Sequence, residues 1–73
     1  MRDLKGLVPF VVDIIQRSKV DLSSYQLKEL FYNQYHISLS TRDIRYIIDV
    51  AMNENNHIFK YKHPNRRLSY KWL

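Results

Sequence analysis

The chain has 73 residues and a formal net charge of +5, from 12 Lys and Arg against 7 Asp and Glu. This length predicts one domain with a small core and leaves little concave volume for a substrate. Cysteine is absent, so disulfides, thiolate metal sites and a cysteine nucleophile need not be considered. The sequence contains no Gly-rich phosphate loop, nucleophile–base pairing or paired carboxylates. We therefore expect a binding protein without a cofactor, and no enzyme.

The positive charge is concentrated near the C-terminal end. Residues 1–56 contain seven basic and seven acidic residues, whereas residues 57–73 contain five basic residues and neither Asp nor Glu. A local basic patch is typical of proteins that contact nucleic acid or an acidic protein surface. The apolar stretch near the start of the chain is interrupted by Asp13, so we expect no membrane association. The expected location is intracellular, in cytoplasm, nucleoid or nucleus.

The first predicted helix covers about residues 9–18. Pro9 suits the first helical position and biases Val8 away from helical angles. Apolar residues then recur at helical spacing, namely Phe10, Val11, Ile14 and Ile15. Because many of these residues are β-branched, a buried strand is the alternative. The connector at 19–22 is short and has room for a brief strand.

The next two predicted helices share one start signal. Ser-x-x-Gln at 23–26 and Ser-x-x-Asp at 40–43 are capping boxes, in which side chain and backbone cap each other. They predict helices at about 24–35 and about 41–54. The third helix should end at the asparagines in 53–56, since asparagine tolerates the left-handed conformation that terminates helices.

Residues 57–73 alternate apolar and basic side chains around a turn at Pro64, which predicts a basic β-hairpin. The predicted register pairs Tyr61 with Tyr70, Phe59 with Trp72 and Lys60 with Lys71. The apolar face would belong to the core, and the other face would carry only cations. Like charges opposite one another destabilise a sheet, so this face suggests an anionic partner.

The aromatic residues are expected to divide between core and surface. The predicted core set is Phe10, Phe31, Phe59, Tyr61, Tyr70 and Trp72. The predicted exposed set is Tyr25, Tyr32 and Tyr46. The three histidines (His36, His57 and His63) lack the same-face spacing of a ligand set, so no metal site is expected.

A leading helix followed by helix, tight turn, helix and hairpin resembles the winged helix-turn-helix family, over roughly residues 8–73. The turn residues His36, Ile37 and Ser38 are similar to the family's frequent Gly-aliphatic-Ser, with His in place of Gly. Histidine is among the non-glycine residues enriched at positive φ, so we expect that conformation at His36. The resemblance implies an α+β fold, mostly α, in which three helices precede a two-stranded hairpin, the wing.

The resemblance also implies that the third helix enters the major groove of double-stranded DNA while the wing lies on backbone or minor groove. Such a protein would act as a transcriptional regulator or as a recombination or replication accessory factor. The predicted nucleic-acid-binding residues are Thr41, Arg42, Arg45, Tyr46, Lys60, Lys62, Arg66, Arg67 and Lys71. Arginine can bind guanine through two hydrogen bonds, and six or so phosphate contacts predict a salt dependence with a slope of about −5. For each residue, solvated surface charge is the competing interpretation.

Two other functions stay open. Asp49 and Glu54 place negative charge along the third helix, which favours a protein-interaction module, an inhibitor or adaptor that binds an acidic protein surface. Exposed tyrosines would also suit base stacking on RNA or single-stranded DNA. A homodimer is compatible with the sequence, which does not determine the oligomeric state.

Overall fold

A computed structural model describes residues 4–65 and 67–73. Its helices are a short 3-10 helix at Leu4–Leu7, α1 at Val8–Arg17, α2 at Ser24–Tyr35 and α3 at Thr41–Glu54. Its strands are β1 at Leu22–Ser23, β2 at Ile58–Lys62 and β3 at Leu68–Trp72. The described residues therefore form an α+β fold that is mostly helical, with three α-helices and a three-stranded antiparallel sheet.

Both predicted capping boxes are confirmed, and α2 and α3 have the predicted bounds. The Ser23 hydroxyl accepts a hydrogen bond from the Gln26 amide at 3.2 Å, and the Gln26 side chain accepts one from the Ser23 amide at 2.9 Å. The corresponding distances between Ser40 and Asp43 are 3.1 and 3.3 Å. Asp43 therefore helps to cap α3, because its carboxylate accepts a hydrogen bond from the Ser40 amide.

The two helix ends that follow differ from each other. His36 ends α2 in the left-handed conformation, with φ 56° and ψ 30°, as predicted. The prediction of a left-handed asparagine after α3 is wrong, because Asn55 is extended with φ −155°. Its side chain instead accepts a hydrogen bond from the His57 amide at 2.7 Å. α1 is helical, so the alternative of a buried strand is wrong there too.

The sheet has one strand more than the predicted two-stranded hairpin. β1, from the connector before α2, pairs with β3 through Leu22 opposite Tyr70 and Ser23 opposite Ser69. The strand order is β1-β3-β2, so β3 is central. Without β1, one side of β3 would leave its backbone N–H and C=O groups unpaired beside the core. Pairing with β1 gives these groups hydrogen-bond partners.

The predicted hairpin register is wrong by one residue. The observed pairs are Ile58 with Trp72, Phe59 with Lys71, Lys60 with Tyr70, Tyr61 with Ser69 and Lys62 with Leu68. The turn helps to fix this register, because the His63 amide donates to the Arg67 carbonyl at 2.8 Å. A shift of one residue turns every β2 side chain to the opposite face, so Ile58 is buried and Phe59 is exposed.

The core lies between the three helices and the inner face of the sheet. Its largest fully buried side chains include Tyr70, Phe31 and Ile15. The inward faces of the helices carry buried residues such as Val11, Ile14, Leu27, Ile44, Ile47 and Ile48. Phe10 and Phe59 were predicted to be buried, but they are 43% and 50% exposed. Tyr61 is half-buried, Trp72 packs against the edge of the core, and the predicted exposure of Tyr25, Tyr32 and Tyr46 is confirmed.

Candidate nucleic-acid interface

The N-terminal ends of α2 and α3 meet the start of β3 at an open cleft of about 300 Å³, which we call the arginine cleft. It is lined by Ser23, Ser24, Tyr25, Gln26, Thr41, Arg45, Arg67 and Leu68. Thr41 and Arg45 come from α3, and Arg67 comes from the hairpin. The fold thus brings together three of the residues predicted to bind nucleic acid, although the helix and the hairpin are far apart in sequence.

Ser24 gives the arginine cleft a polar floor. It is the first residue of α2 and is only 5% exposed, and its hydroxyl oxygen has no hydrogen-bond partner among the described residues. Buried hydroxyls are nearly always hydrogen-bonded, so this oxygen is unusual. The first backbone amides of a helix also lack partners within the helix, and they favour an anion. Sequence reasoning missed Ser24, although the second serine beside the cap was the available signal.

The charges around the arginine cleft favour an anion. Arg45 and Arg67 are exposed, and within the described part of the chain neither pairs with a carboxylate. Two neighbouring carboxylates are occupied, since Asp43 caps α3 and Glu29 accepts a hydrogen bond from the Tyr25 hydroxyl, whereas Asp21 lines an adjoining cleft with Arg67. That hydrogen bond and the carboxylate's charge raise the pKa of Tyr25 above its ordinary value.

The exposed face of α3 adjoins this cleft. Arg42, Arg45, Tyr46 and Asp49 lie within one side of the helix by their spacing, and all four are exposed. The arginine side of α3 is therefore open to solvent and not sealed against the interior. Arg42 and Tyr46 do not line the arginine cleft. Asp49 lies on the same face and reduces its positive potential.

The hairpin lysines are divided between two faces. Lys60 and Lys62 pair with Tyr70 and Leu68, so they lie on the sheet face that packs on the helices, and both are exposed. Leu68 also lines the arginine cleft, so these lysines extend its positive surface along β2. Lys71 pairs with Phe59 on the opposite face of the sheet. The prediction that Lys60 and Lys71 lie opposite each other on the same face is therefore wrong. The predicted contact at Arg66 lies outside the described residues.

Two other clefts have different linings. One of about 420 Å³ lies between α2 and the following turn and is lined by Lys28, Glu29, Tyr32, Asn33, Ser38 and Leu39. The other, of about 270 Å³, lies beside the hairpin turn and is lined by Asp21, Gln26, His63, Asn65, Arg67 and Ser69. Residues 4–65 and 67–73 contain no group of three or more His, Asp or Glu placed to hold a metal ion. No helix within the same residues has the length and apolarity needed to cross a membrane.

No protein-family model, no curated protein and no solved structure matches this chain at a significant level. The arginine cleft adjoins the exposed face of α3, and Lys62 of β2 pairs with Leu68, which lines the cleft.

Proposed function

We propose that the protein is a winged helix-turn-helix protein that binds double-stranded DNA, as a transcriptional regulator or an accessory factor in recombination or replication. In this proposal α3 enters the major groove and the basic hairpin is the wing on backbone or minor groove. The element order supports it, because a short strand precedes two tightly linked helices and a hairpin follows them. The observation that carries the proposal is that Arg45 of α3 and Arg67 of the hairpin line one cleft.

The chemistry of the arginine cleft suits one backbone phosphate. Two guanidinium groups supply charge, the α2 N-terminus supplies amide donors, and the buried Ser24 hydroxyl donates to the phosphate after its side chain rotates toward the cleft. Phosphate contacts fix the position of a protein on the duplex, whereas contacts to base edges read its sequence. With a phosphate in the cleft, Arg42 and Tyr46 on the adjoining face of α3 are the groups available to bases.

Fluorescence anisotropy with a labelled mixed-sequence duplex tests this proposal. We expect Arg45→Ala and Arg67→Ala each to weaken binding by about 5- to 150-fold, the range for losing one good contact. Lys19→Ala is the matched control, because it removes an exposed cation from the connector outside the cleft. If both arginine variants bind as tightly as the parent, the arginine cleft is not the DNA site.

Ser24→Ala separates binding from folding. Removing a buried hydroxyl that has no protein partner should leave stability unchanged or raise it, because its desolvation is no longer uncompensated. The same change should weaken duplex binding, since the phosphate loses a donor. Anisotropy and chemical denaturation on one preparation measure both effects. A loss of stability with unchanged affinity would show that Ser24 only supports the fold.

A protein-interaction module is the second candidate, because Asp49 stands exposed among the cations of α3. An acidic residue at the centre of a DNA-reading face repels phosphate, so Asp49→Asn should tighten duplex binding if the first proposal is correct. If the protein is instead an inhibitor or adaptor that binds an acidic protein surface, nuclease-treated preparations should retain one stoichiometric protein partner.

A further inference from the structure

The outer face of the hairpin carries a row of three rings, which we call the outer aromatic row: Phe59, Tyr61 and His63. Phe59 and Tyr61 alternate along β2 on the face turned away from the core, and His63 follows the strand. The ring centroids are 5.7 Å apart between Phe59 and Tyr61, and 5.0 Å apart between Tyr61 and His63. Phe59 is half exposed, so its ring adds apolar surface to the same row as Tyr61 and His63.

The outer aromatic row is held in place at its hairpin-turn end. A ring nitrogen of His63, Nε2, lies 2.9 Å from the hydroxyl oxygen of Ser69, and Ser69 is 4% exposed. The His63 backbone is also bonded to Arg67 across the turn. Tyr61 lies between the other two rings and contacts both. A surface ordered before binding loses little conformational entropy when a ligand arrives.

The charges around the row favour an anionic ligand that also carries flat rings. Lys71 is the cross-strand partner of Phe59 on the same face. Lys60 and Lys62 lie on the other face of β2, and Arg67 adjoins the His63 end of the row. Residues 57–73 contain neither Asp nor Glu, although Asp21 approaches the His63 end. Stacking rings bordered by cations complement bases joined by phosphates, whereas a purely apolar partner would leave Lys71 desolvated.

We propose that the outer aromatic row is a second site, which binds single-stranded nucleic acid by stacking bases on Phe59 and Tyr61. Lys71 contacts the phosphates that join those bases. Phe59 and Tyr61 do not line the arginine cleft, although His63 at the turn end of the row shares a neighbouring cleft with Arg67. DNA and RNA share the stacking chemistry, and the choice between them is part of the test.

Anisotropy with labelled oligo(dT) and oligo(U) tests this site. Phe59→Ala and Tyr61→Ala should each weaken binding by about 5- to 150-fold, the range for losing one stacked base. Lys71→Ala should weaken it less and reduce the slope of log affinity against log salt by about 0.7. Tyr32→Ala is the matched control, because it removes another exposed ring, 52% accessible, from α2. Phe59→Trp should retain binding, and its fluorescence should be quenched by the oligonucleotide.

The outcomes separate this inference from duplex binding. Loss of oligo(dT) or oligo(U) binding in Phe59→Ala, with Tyr32→Ala unchanged, supports the site and shows which nucleic acid it takes. Equal binding by Phe59→Ala and the parent, or an equal loss in Tyr32→Ala, overturns it. Phe59→Ala should keep duplex affinity within about twofold, since distant sites act independently. Arg45→Ala should lose duplex but not oligo(dT) binding, so either proposal can fail alone.

Discussion

The two halves of the molecule that meet at the arginine cleft are ordered in different ways. In the helical half, α2 and α3 each begin at a capping box whose partners lie three residues apart. In the hairpin, β3 is fixed by a strand from the connector before α2 and by the burial of Tyr70. Local hydrogen bonds set where the helices begin, and distant contacts set which hairpin face turns inward. A site that needs both Arg45 and Arg67 therefore depends on the distant contacts.

The largest expected effect is a loss of stability in the hairpin half. It is tested by comparing two aromatic residues on opposite faces of the hairpin. Tyr70 is 1% exposed, and Tyr70→Ala should lower the free energy of unfolding by about 3 to 5 kcal/mol. A domain of this length has only about 4 to 11 kcal/mol in total. Phe59→Ala should lower it by about 1 kcal/mol or less, because the ring is half exposed. Urea denaturation followed by circular dichroism measures both, and equal losses would contradict the observed register.

The same contrast explains how much of the fold could be predicted from sequence. The bounds of α2 and α3 follow from serines and their partners three residues on, so a short window contains the whole signal. The hairpin register does not follow, because Ile58 and Phe59 are adjacent and both apolar. Either can face inward in an alternating pattern, and the choice depends on the fit beside Tyr70 and on turn closure. The sequence allows a brief strand in the connector at 19–22, but two residues carry no strand period, so the pairing of β1 with β3 could not be predicted.

The candidate site was predictable to a similar degree. Arg45 and Arg67 could be named from charge and position, but only the fold brings them to one cleft. Ser24 was missed, because a second serine beside the cap indicates a helix start and not a buried hydroxyl without a partner. Phe59 and Tyr61 of the outer aromatic row are predicted to be core residues for the same reason that the predicted register is wrong. Sequence thus indicated the kind of chemistry, and tertiary contacts determined which face carries it.

The salt dependence of duplex binding tests whether the two halves contact one polyanion. The exposed cations on this side are Arg42, Arg45, Lys60, Lys62 and Arg67. Five phosphate contacts give a slope of about −4.5 in log affinity against log salt, or about a 500-fold loss from about 50 to about 200 mM. Removing one of these arginines should flatten the slope by about 1, and Lys71→Ala should leave it unchanged. A slope near zero would remove the nucleic-acid proposal.

The two capping serines provide a smaller test, of the helical half. Ser23→Ala and Ser40→Ala should each lower the free energy of unfolding by about 1 kcal/mol, because each leaves a helix amide without its partner. Ser23 also lines the arginine cleft, whereas Ser40 does not. Ser23→Ala should therefore reduce duplex affinity as well, while Ser40→Ala should leave it nearly unchanged. Thermal denaturation and anisotropy check the pair, and equal affinities would argue against a role of the α2 N-terminus in binding.

The smallest expected effect is at the C-terminal ends of α2 and α3. Substitution by glycine should raise stability at one end and lower it at the other. His36 is left-handed, so His36→Gly removes strain and should raise stability by up to about 0.5 kcal/mol after glycine's entropy cost. Asn55 is extended and its side chain accepts from the His57 amide, so Asn55→Gly should lower stability by about 1 kcal/mol. Chemical denaturation measures both. If His36→Gly is the more destabilising change, the edge contact of the His36 ring with Tyr32, at 6.2 Å, stabilises the turn more than the strain opposes it.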